Sequence, residues 1–305
     1  FIGIIVSYFV AFYQESKVKT FKNIKEIKDR FPIFKFLGTI PFNNNFNNSN
    51  EESNLLYFLQ KEYNFQQNSQ FSKEENIILK EKMRNIFSSI KSLSKSNKKL
   101  FLITSSQPGE GKSIISALLA LTFCEMGKKV LLIEADLRKP KLDNYFALQE
   151  SNGISNFIES KSNNYEDFIQ SIKKTDNLYY ISRGSASNNP TKILSSKKFE
   201  DLLLNLKESK EFDYVFINST PILGVSDASL IANKVDEVIM ILSPRLTTKD
   251  LAYEAIRNLI LESDQEPKFI INLISKEIST KDLDEGSSIN YYIWISIIYL
   301  ILLII

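Results

Sequence analysis

Histidine is absent from this 305-residue chain, and cysteine occurs once, at Cys124. Without histidine, Ser-His and Cys-His catalytic pairs and histidine-containing metal sites are excluded. A single cysteine excludes an internal disulfide, so the sequence suits a reducing compartment. The net charge is only +2, which excludes binding of nucleic acid by bulk charge alone. Only nine glycines occur, so two that fall close together, Gly109 and Gly111, require a conformational explanation.

Both ends of the chain are uncharged runs. Residues 1–13 carry no charge, and seven cations against two acids follow between Lys17 and Lys35. This pattern is typical of a chain that leaves a membrane on the cytoplasmic side. Because about 20 residues are needed to cross a bilayer, we interpret residues 1–13 as the C-terminal part of a membrane helix. A buried core helix is the alternative.

The last run, 291–305, is also uncharged and begins with aromatic residues. We interpret residues 281–305 as a tail with a hydrophobic membrane segment, with a buried strand or a hydrophobic tail as the alternatives. The cations at 17–35 and 73–99 are explained by lipid head groups or by solvation. We therefore expect a membrane as a partner and no nucleic acid.

Between the ends, an Asn-rich stretch separates two parts of the chain. We assign residues 14–72 to a juxtamembrane segment with this linker, and residues 73–280 to a globular domain. In that domain short apolar runs alternate with helical patterns, which predicts a mostly parallel α/β sheet with helices on both faces. The predicted strands are 100–104, 129–133, 178–182, 214–217, 235–242 and 268–274.

The strongest motif lies between the first of these strands and a helix. Two glycines there let backbone N–H groups converge on a phosphate at the positive end of the helix dipole. The predicted nucleotide contacts are Gln107, Pro108, Gly109, Glu110, Gly111, Lys112, Ser113 and Ile114. Lys112 would reach the terminal phosphates, and the Ser113 hydroxyl would contact Mg²⁺. The alternative is a glycine turn that only joins strand to helix.

Polar residues follow two further strands of the predicted sheet. Glu134, Asp136 and Arg138 follow one strand, and Asn218 follows another. Open α/β sheets bind ligands at the carboxyl ends of their strands. Together with the phosphate-binding loop, these positions indicate the site of a nucleotide hydrolase or a kinase.

Over nearly its whole length the sequence resembles the bacterial tyrosine kinases of polysaccharide co-polymerases. That family carries a modified phosphate-binding loop, then apolar residues with D-x-D-x-R, and then apolar residues with Asp, Ser or Thr, and Pro. Collinear matches occur at 31–41, 188–190 and 224–228. The resemblance implies a P-loop nucleoside triphosphatase fold, ATP and Mg²⁺, and a nucleotide-binding domain on the cytoplasmic side of the bacterial inner membrane. It also implies partners in polysaccharide polymerisation or export.

Site roles carry over from the resemblance by position. It implies that Lys112, Glu134, Asp136 and Arg138 are catalytic, and that Ser113, Asp136 and Asn218 hold the metal. Glu134 stands where the family has an Asp that acts as a base toward the tyrosine hydroxyl, and it moves the charge outward by one methylene. Asn218 stands where the family has a carboxylate for Mg²⁺, and an amide lacks the charge that this cation favours.

Two further departures concern assembly and the phosphate acceptor. Glu81 and Arg84 fit a family motif of subunit contact, which predicts a homo-oligomer through their helix, but Phe87 replaces its second Arg. Tyr291, Tyr292 and Tyr299 lie in an apolar run instead of an accessible tyrosine cluster. We therefore predict an ATP-binding regulator of polysaccharide chain length and export with impaired phosphoryl transfer, which Asn218→Asp should restore.

Two other functions stay open from the sequence. One is a partitioning or cell-division ATPase of the ParA or MinD type, which would carry a signature Lys where this chain has Gln107. The other is a non-enzymatic scaffold of the export machinery whose site no longer binds nucleotide. ATP-dependent DNA binding would favour the first, and loss of any difference between wild type and Lys112→Ala would favour the second.

Overall fold

The computed structural model describes residues 20–41 apart from 22, residues 73–93, and residues 99–273 apart from 147, 149–151, 173–174 and 245. The terminal runs assigned to membrane segments and the Asn-rich linker lie outside these residues. Among the described residues, no helix is both long enough and apolar enough to cross a bilayer.

Eight strands form one sheet in the order β1-β8-β7-β2-β6-β3-β5-β4. The strands are β1 Phe36–Ile40, β2 Leu100–Ser105, β3 Val130–Glu134, β4 Gln170–Ser171, β5 Leu178–Ile181, β6 Tyr214–Asn218, β7 Glu237–Leu242 and β8 Lys268–Asn272. All neighbouring strands are parallel except the short edge pair β4–β5. The mostly parallel sheet expected from the apolar runs is therefore confirmed.

Nine helices of the described residues cover the sheet. They are α1 Ile24–Arg30, α2 Lys73–Leu93, α3 Lys112–Glu125, α4 Leu142–Tyr145, α5 Ile154–Glu159, α6 Pro190–Leu194, α7 Lys197–Glu208, α8 Asp227–Ala232 and α9 Lys249–Ser263. Buried residues of α2, α3 and α4 pack in one apolar cluster with one face of the sheet. Those of α1 and α5 to α9 pack in a second cluster on the other face. Helices on both faces explain why the central strands are apolar throughout.

The sheet begins earlier in the chain than the domain boundary predicted at residue 73. β1 belongs to the segment assigned to the juxtamembrane region, and it pairs in parallel with β8. Gly38 of this strand lies against Ile86 of α2, and a Cβ at position 38 would overlap the Ile86 side chain. The juxtamembrane segment thus contributes an edge strand to the domain.

The carboxyl ends of β2, β6 and β3 lie side by side and position the site. Ile103 of β2 is level with Asn218 of β6, and Asn218 is level with Glu134 of β3. The glycine-containing loop follows β2, and the acidic turn follows β3. Because β6 lies between β2 and β3, the chain segment after Asn218 lies between that loop and that turn.

Candidate active site

The loop after β2 has the backbone geometry that the two glycines predict. Gly109 and Gly111 have φ of 91° and 88°, in the left-handed region that favours glycine. Gly111 is the residue immediately before α3. A Cβ at Gly111 would overlap the Asn272 side chain, whose Nδ2 donates to the Glu110 carbonyl at 2.9 Å. The Asn272 side chain therefore packs closely against the start of α3, where backbone N–H groups favour an anion.

The Glu110 side chain braces this loop from within. Its Oε2 accepts from the Ser106 hydroxyl at 2.7 Å and from the Gln107 N–H at 2.9 Å. Its Oε1 accepts from the Thr247 hydroxyl, which follows β7. Burial raises the pKa of the Glu110 carboxyl. The Glu110 carboxylate is therefore occupied within the loop, and only the backbone of Glu110 could contact a phosphate.

Lys112 and Asp136 meet across the carboxyl edge of the sheet. The Lys112 Nζ lies 3.2 Å from Asp136 Oδ2, and the two side chains are only 12% and 3% exposed. The other Asp136 oxygen accepts from the Lys139 N–H at 3.0 Å. The sequence predicted both residues at one site, and the fold brings them together. Lys112 therefore reaches from the loop after β2 to the turn after β3.

Glu134 uses both carboxylate oxygens inside the protein. Oε1 accepts from the Asp136 N–H at 3.1 Å, and Oε2 accepts from the N–H groups of Lys141 and Leu142, each at 3.1 Å. Burial raises its pKa to about 7, against the opposing effect of these hydrogen bonds. The side chain holds the turn that carries Asp136. Its assignment as a catalytic base stays a prediction, and neither oxygen is free for that role in this arrangement.

Asn218 is fully buried and joins Glu134 to α3. Its Nδ2 donates to Glu134 Oε1 at 2.7 Å and to Ser113 Oγ at 3.3 Å, while its Oδ1 accepts from the Ser116 hydroxyl at 3.2 Å. Both Glu134 oxygens already accept from backbone N–H groups, so the Asn218 atom that faces them is the donating nitrogen. Asn218 therefore turns its nitrogen, not its oxygen, toward Ser113.

The donor set fits Mg²⁺ in part. The Ser113 hydroxyl and the Asp136 carboxylate are oxygen ligands of the type that Mg²⁺ takes. The Asn218 oxygen faces Ser116 instead. In the described part of the chain, no three or more carboxylate or cysteine side chains converge on one point. A magnesium ion here would thus depend on Ser113, Asp136, water and phosphate oxygens.

Arg138 is anchored by side chains of two helices. Its Nε donates to Asp227 Oδ2 at 2.7 Å, and one terminal nitrogen donates to Asp227 Oδ1 at 3.3 Å and to Thr191 Oγ1 at 3.0 Å. Hydrogen bonding to the fully buried Asp227 raises the pKa of Arg138. Asp227 lies within, and Thr191 directly after, stretches that match the family in sequence, but neither residue was predicted to have a role. The forked contact ties the acidic turn to α6 and α8.

The helix predicted to form the oligomer contact carries an exposed ion pair. Arg84 contacts Glu81 at 2.9 Å and Glu125 of α3 at 3.6 Å. Phe87, which departs from the motif, is buried edge-on against Phe123 with ring centroids 4.7 Å apart. Phe87 is therefore part of the packing between α2 and α3, as expected of a residue on an apolar helical stripe.

Comparison with known proteins agrees with this geometry. The model of the AAA domain family matches residues 98–268. The tyrosine-protein kinase YwqD of Bacillus subtilis is 34% identical over 194 residues, which cover 64% of this chain and 77% of YwqD. The chain belongs to the bacterial tyrosine-protein kinases. The BceF tyrosine kinase domain matches this kinase with a TM-score of 0.66 at 25% identity, over 84% of this chain and 100% of BceF.

A second solved structure, that of the chimerical protein CapA2B2, also matches the kinase with a TM-score of 0.66. The identity is 25%, and the match covers 83% of this chain and 99% of CapA2B2. Both matches extend well beyond the phosphate-binding loop. The family expected from the motifs of this kinase is therefore confirmed, together with its fold.

Proposed function

We propose that this kinase binds ATP with Mg²⁺ in the loop 107–114 and that its phosphoryl transfer to tyrosine is slow. We further propose that it acts at the cytoplasmic face of the bacterial inner membrane, as a regulator of exopolysaccharide or capsule chain length and export. Nucleotide binding is supported by the left-handed glycines, the start of α3 and the poised Lys112. These groups supply backbone donors and a cation for a triphosphate.

One contact carries the proposal of slow transfer, the hydrogen bond between Asn218 Nδ2 and Glu134 Oε1 at 2.7 Å. It commits the Asn218 amide to Glu134 and leaves no carboxylate from β6 at the metal position. Phosphoryl transfer depends almost entirely on positioning and on electrostatic stabilisation of the developing charge. A displacement of about 1 Å can cost on the order of a hundredfold in rate.

The remaining residues have definite tasks in this proposal. Bound Mg²⁺ would neutralise charge on the phosphate oxygens, with Ser113 and Asp136 as its protein ligands. Lys112 would leave Asp136 to contact the phosphates. Arg138 and Glu134 hold the turn that carries Asp136 through Asp227 and through backbone N–H groups. They act by positioning Asp136.

The membrane, assembly and polysaccharide parts of the proposal have separate support. The cation-rich stretch after residues 1–13 supports membrane contact. The exposed Glu81–Arg84 pair on α2 supports a homo-oligomer through that helix. Partners in polysaccharide polymerisation or export are proposed from the family resemblance.

The test is tyrosine phosphorylation by the full chain with Mg²⁺-ATP, measured in single turnovers on a tyrosine peptide. We expect wild type to transfer phosphate at least about a hundredfold more slowly than the 1–100 per second typical of kinases. Lys112→Ala should abolish transfer, and Lys197→Ala, which removes a lysine whose side chain is 71% exposed, serves as the matched control. Transfer by wild type at the usual kinase rate would contradict the proposed impairment.

A further inference from the structure

One buried hydroxyl at the edge of the site has no hydrogen-bond partner in the part of the chain that the structure describes. Thr220 is 2% exposed, and its Oγ1 forms no hydrogen bond within the described residues. Its main chain is fixed, because its carbonyl accepts from the Thr104 hydroxyl at 2.8 Å. A buried polar group without a partner is costly and is rare in folded proteins. An orphaned hydroxyl next to a site therefore points to a ligand.

The segment that carries Thr220 runs along β2 into the phosphate-binding loop. The N–H of Ser219 donates to the Ile103 carbonyl at 3.1 Å, and the N–H of Ile222 donates to the Ser105 carbonyl at 2.8 Å. Leu223 continues the contact to Ser106 at 3.3 Å. Thr220 is thus held beside the residues that open the loop.

The residues just before Thr220 lie beside α3 and β2. The Asn218 side chain faces α3, where it contacts Ser113 and Ser116. The Ser219 hydroxyl donates to the Ile103 carbonyl beside it. Thr220 follows directly after these two residues.

The paired rows of β2, β6 and β3 end next to Thr220. Ile103, Asn218 and Glu134 are level across these three strands. Thr220 follows Asn218 by two residues, and Asp136 follows Glu134 by two residues. Lys112 reaches from the loop to Asp136. Thr220 therefore lies on the chain segment between the loop after β2 and the turn after β3.

We propose that the Thr220 hydroxyl is a nucleotide-binding group that donates to an oxygen of the terminal phosphate of ATP. The proposal rests on the proposed function, because it requires ATP in the loop 107–114. A phosphate oxygen would supply the acceptor that the buried hydroxyl lacks. Thr220 then distinguishes nucleotides that carry a third phosphate from those that do not.

The experiment is isothermal titration of the full chain with ATP and with ADP, both without metal. Thr220→Val removes the hydroxyl at nearly constant shape, and Thr220→Ser retains it. We expect Thr220→Val to raise the Kd for ATP about tenfold, the loss typical of a hydrogen bond to a charged group. The Kd for ADP should change less than twofold. Thr220→Ser and the neighbouring control Ser219→Ala should keep the wild-type ratio of the two constants.

A thermal melt of each unliganded variant separates binding from folding. Since Thr220→Val removes an unsatisfied group, its Tm should be no lower than that of wild type. Unchanged ATP binding in Thr220→Val, with binding lost in Lys112→Ala, would overturn this inference and leave the proposed function standing. Equal losses for ATP and ADP, or the same loss in Ser219→Ala, would also overturn it. Wild type that binds neither nucleotide would overturn both.

Discussion

At the scale of single residues, the bond between Asn218 and Glu134 decides how the departures from the family motifs are understood. From the sequence, Glu134 and Asn218 were expected to be two separate defects. In the structure the Asn218 Nδ2 donates to Glu134 Oε1 at 2.7 Å, so the two side chains are direct partners. An amide at 218 provides the donor that the longer Glu134 requires. A carboxylate at 218 would put two acids together in a buried site. The rescue expected of Asn218→Asp therefore has to be revised.

We predict that Asn218→Asp alone lowers the free energy of unfolding at pH 8 by about 3 kcal/mol, as expected when a buried charge loses its partner. It should not restore phosphoryl transfer. Adding Glu134→Gln returns a donor to the pair and should recover part of the loss. Urea unfolding of the four proteins gives the coupling energy. Additive losses in the double variant would show that the two positions are independent.

The raised pKa of Glu134 predicts how stability depends on pH. The carboxyl has a pKa of about 7 in the folded protein and about 4.3 when unfolded. The folded state therefore holds the proton more tightly, so this contribution is fully present below pH ~4.3 and is lost as pH rises through 7. We expect a contribution on the order of 3 kcal/mol.

Calorimetric melts of wild type and Glu134→Gln between pH 5 and 8 measure this dependence. The variant should have the flatter profile, because an amide at 134 does not titrate, so its Tm relative to wild type should rise between pH 5 and 8. Glu110, whose pKa is also raised, is present in both proteins, so the difference between the profiles reports Glu134. Parallel profiles would contradict the assignment.

At the scale of elements, α2 places a buried packing residue, Phe87, at a position where the family motif has an Arg. The helix buries Leu79, Met83, Ile86, Phe87 and Ile90, a spacing typical of an apolar helical stripe. Arg84 lies on its exposed side, where ion pairs contribute little to stability. The helix therefore depends on its apolar stripe for its place on the sheet.

We predict that Phe87→Ala lowers the free energy of unfolding by about 3 kcal/mol, since it empties a buried aromatic position. Phe87→Arg, which would complete the family motif, should lower it further, because the charge would be buried against Phe123. Arg84→Ala is the exposed control and should cost less than about 1 kcal/mol. Denaturant unfolding checks the order, and a Phe87→Arg protein as stable as wild type would refute it.

Two strands, β1 and β4, were not predicted from the sequence, and each is held in the sheet by its neighbouring strand. β1 is five residues long, contains Gly38, and is held by β8 and by α2. β4 has only two residues. Neither strand has an apolar run long enough to be predicted from the sequence. The six predicted strands have such runs because helices cover them on both faces. Their observed ends lie within two residues of the predicted ends.

At the scale of the whole molecule, topology explains which parts of the site were predictable. Residues at the ends of β2, β3 and β6 could be placed together, since parallel strands bring their carboxyl ends to one edge. The sequence could not tell that Glu134 faces inward, that Arg138 binds Asp227, or which Asn218 atom faces Ser113. Those features depend on side-chain hydrogen bonds between elements distant in sequence. Thr220 was assigned no role from the sequence, because the lack of a hydrogen-bond partner for its hydroxyl among the described residues becomes visible only in the folded structure.

In the proposed function, a loop bent by two left-handed glycines holds the phosphates of ATP with the help of Lys112. Equilibrium titration of the full chain with ATP, with and without Mg²⁺, measures this binding. We predict saturable binding by wild type, a modest gain with Mg²⁺ because β6 supplies no carboxylate, and at least about a hundredfold weaker binding by Lys112→Ala. Equal affinities for wild type and Lys112→Ala, or no binding by either, would contradict the account.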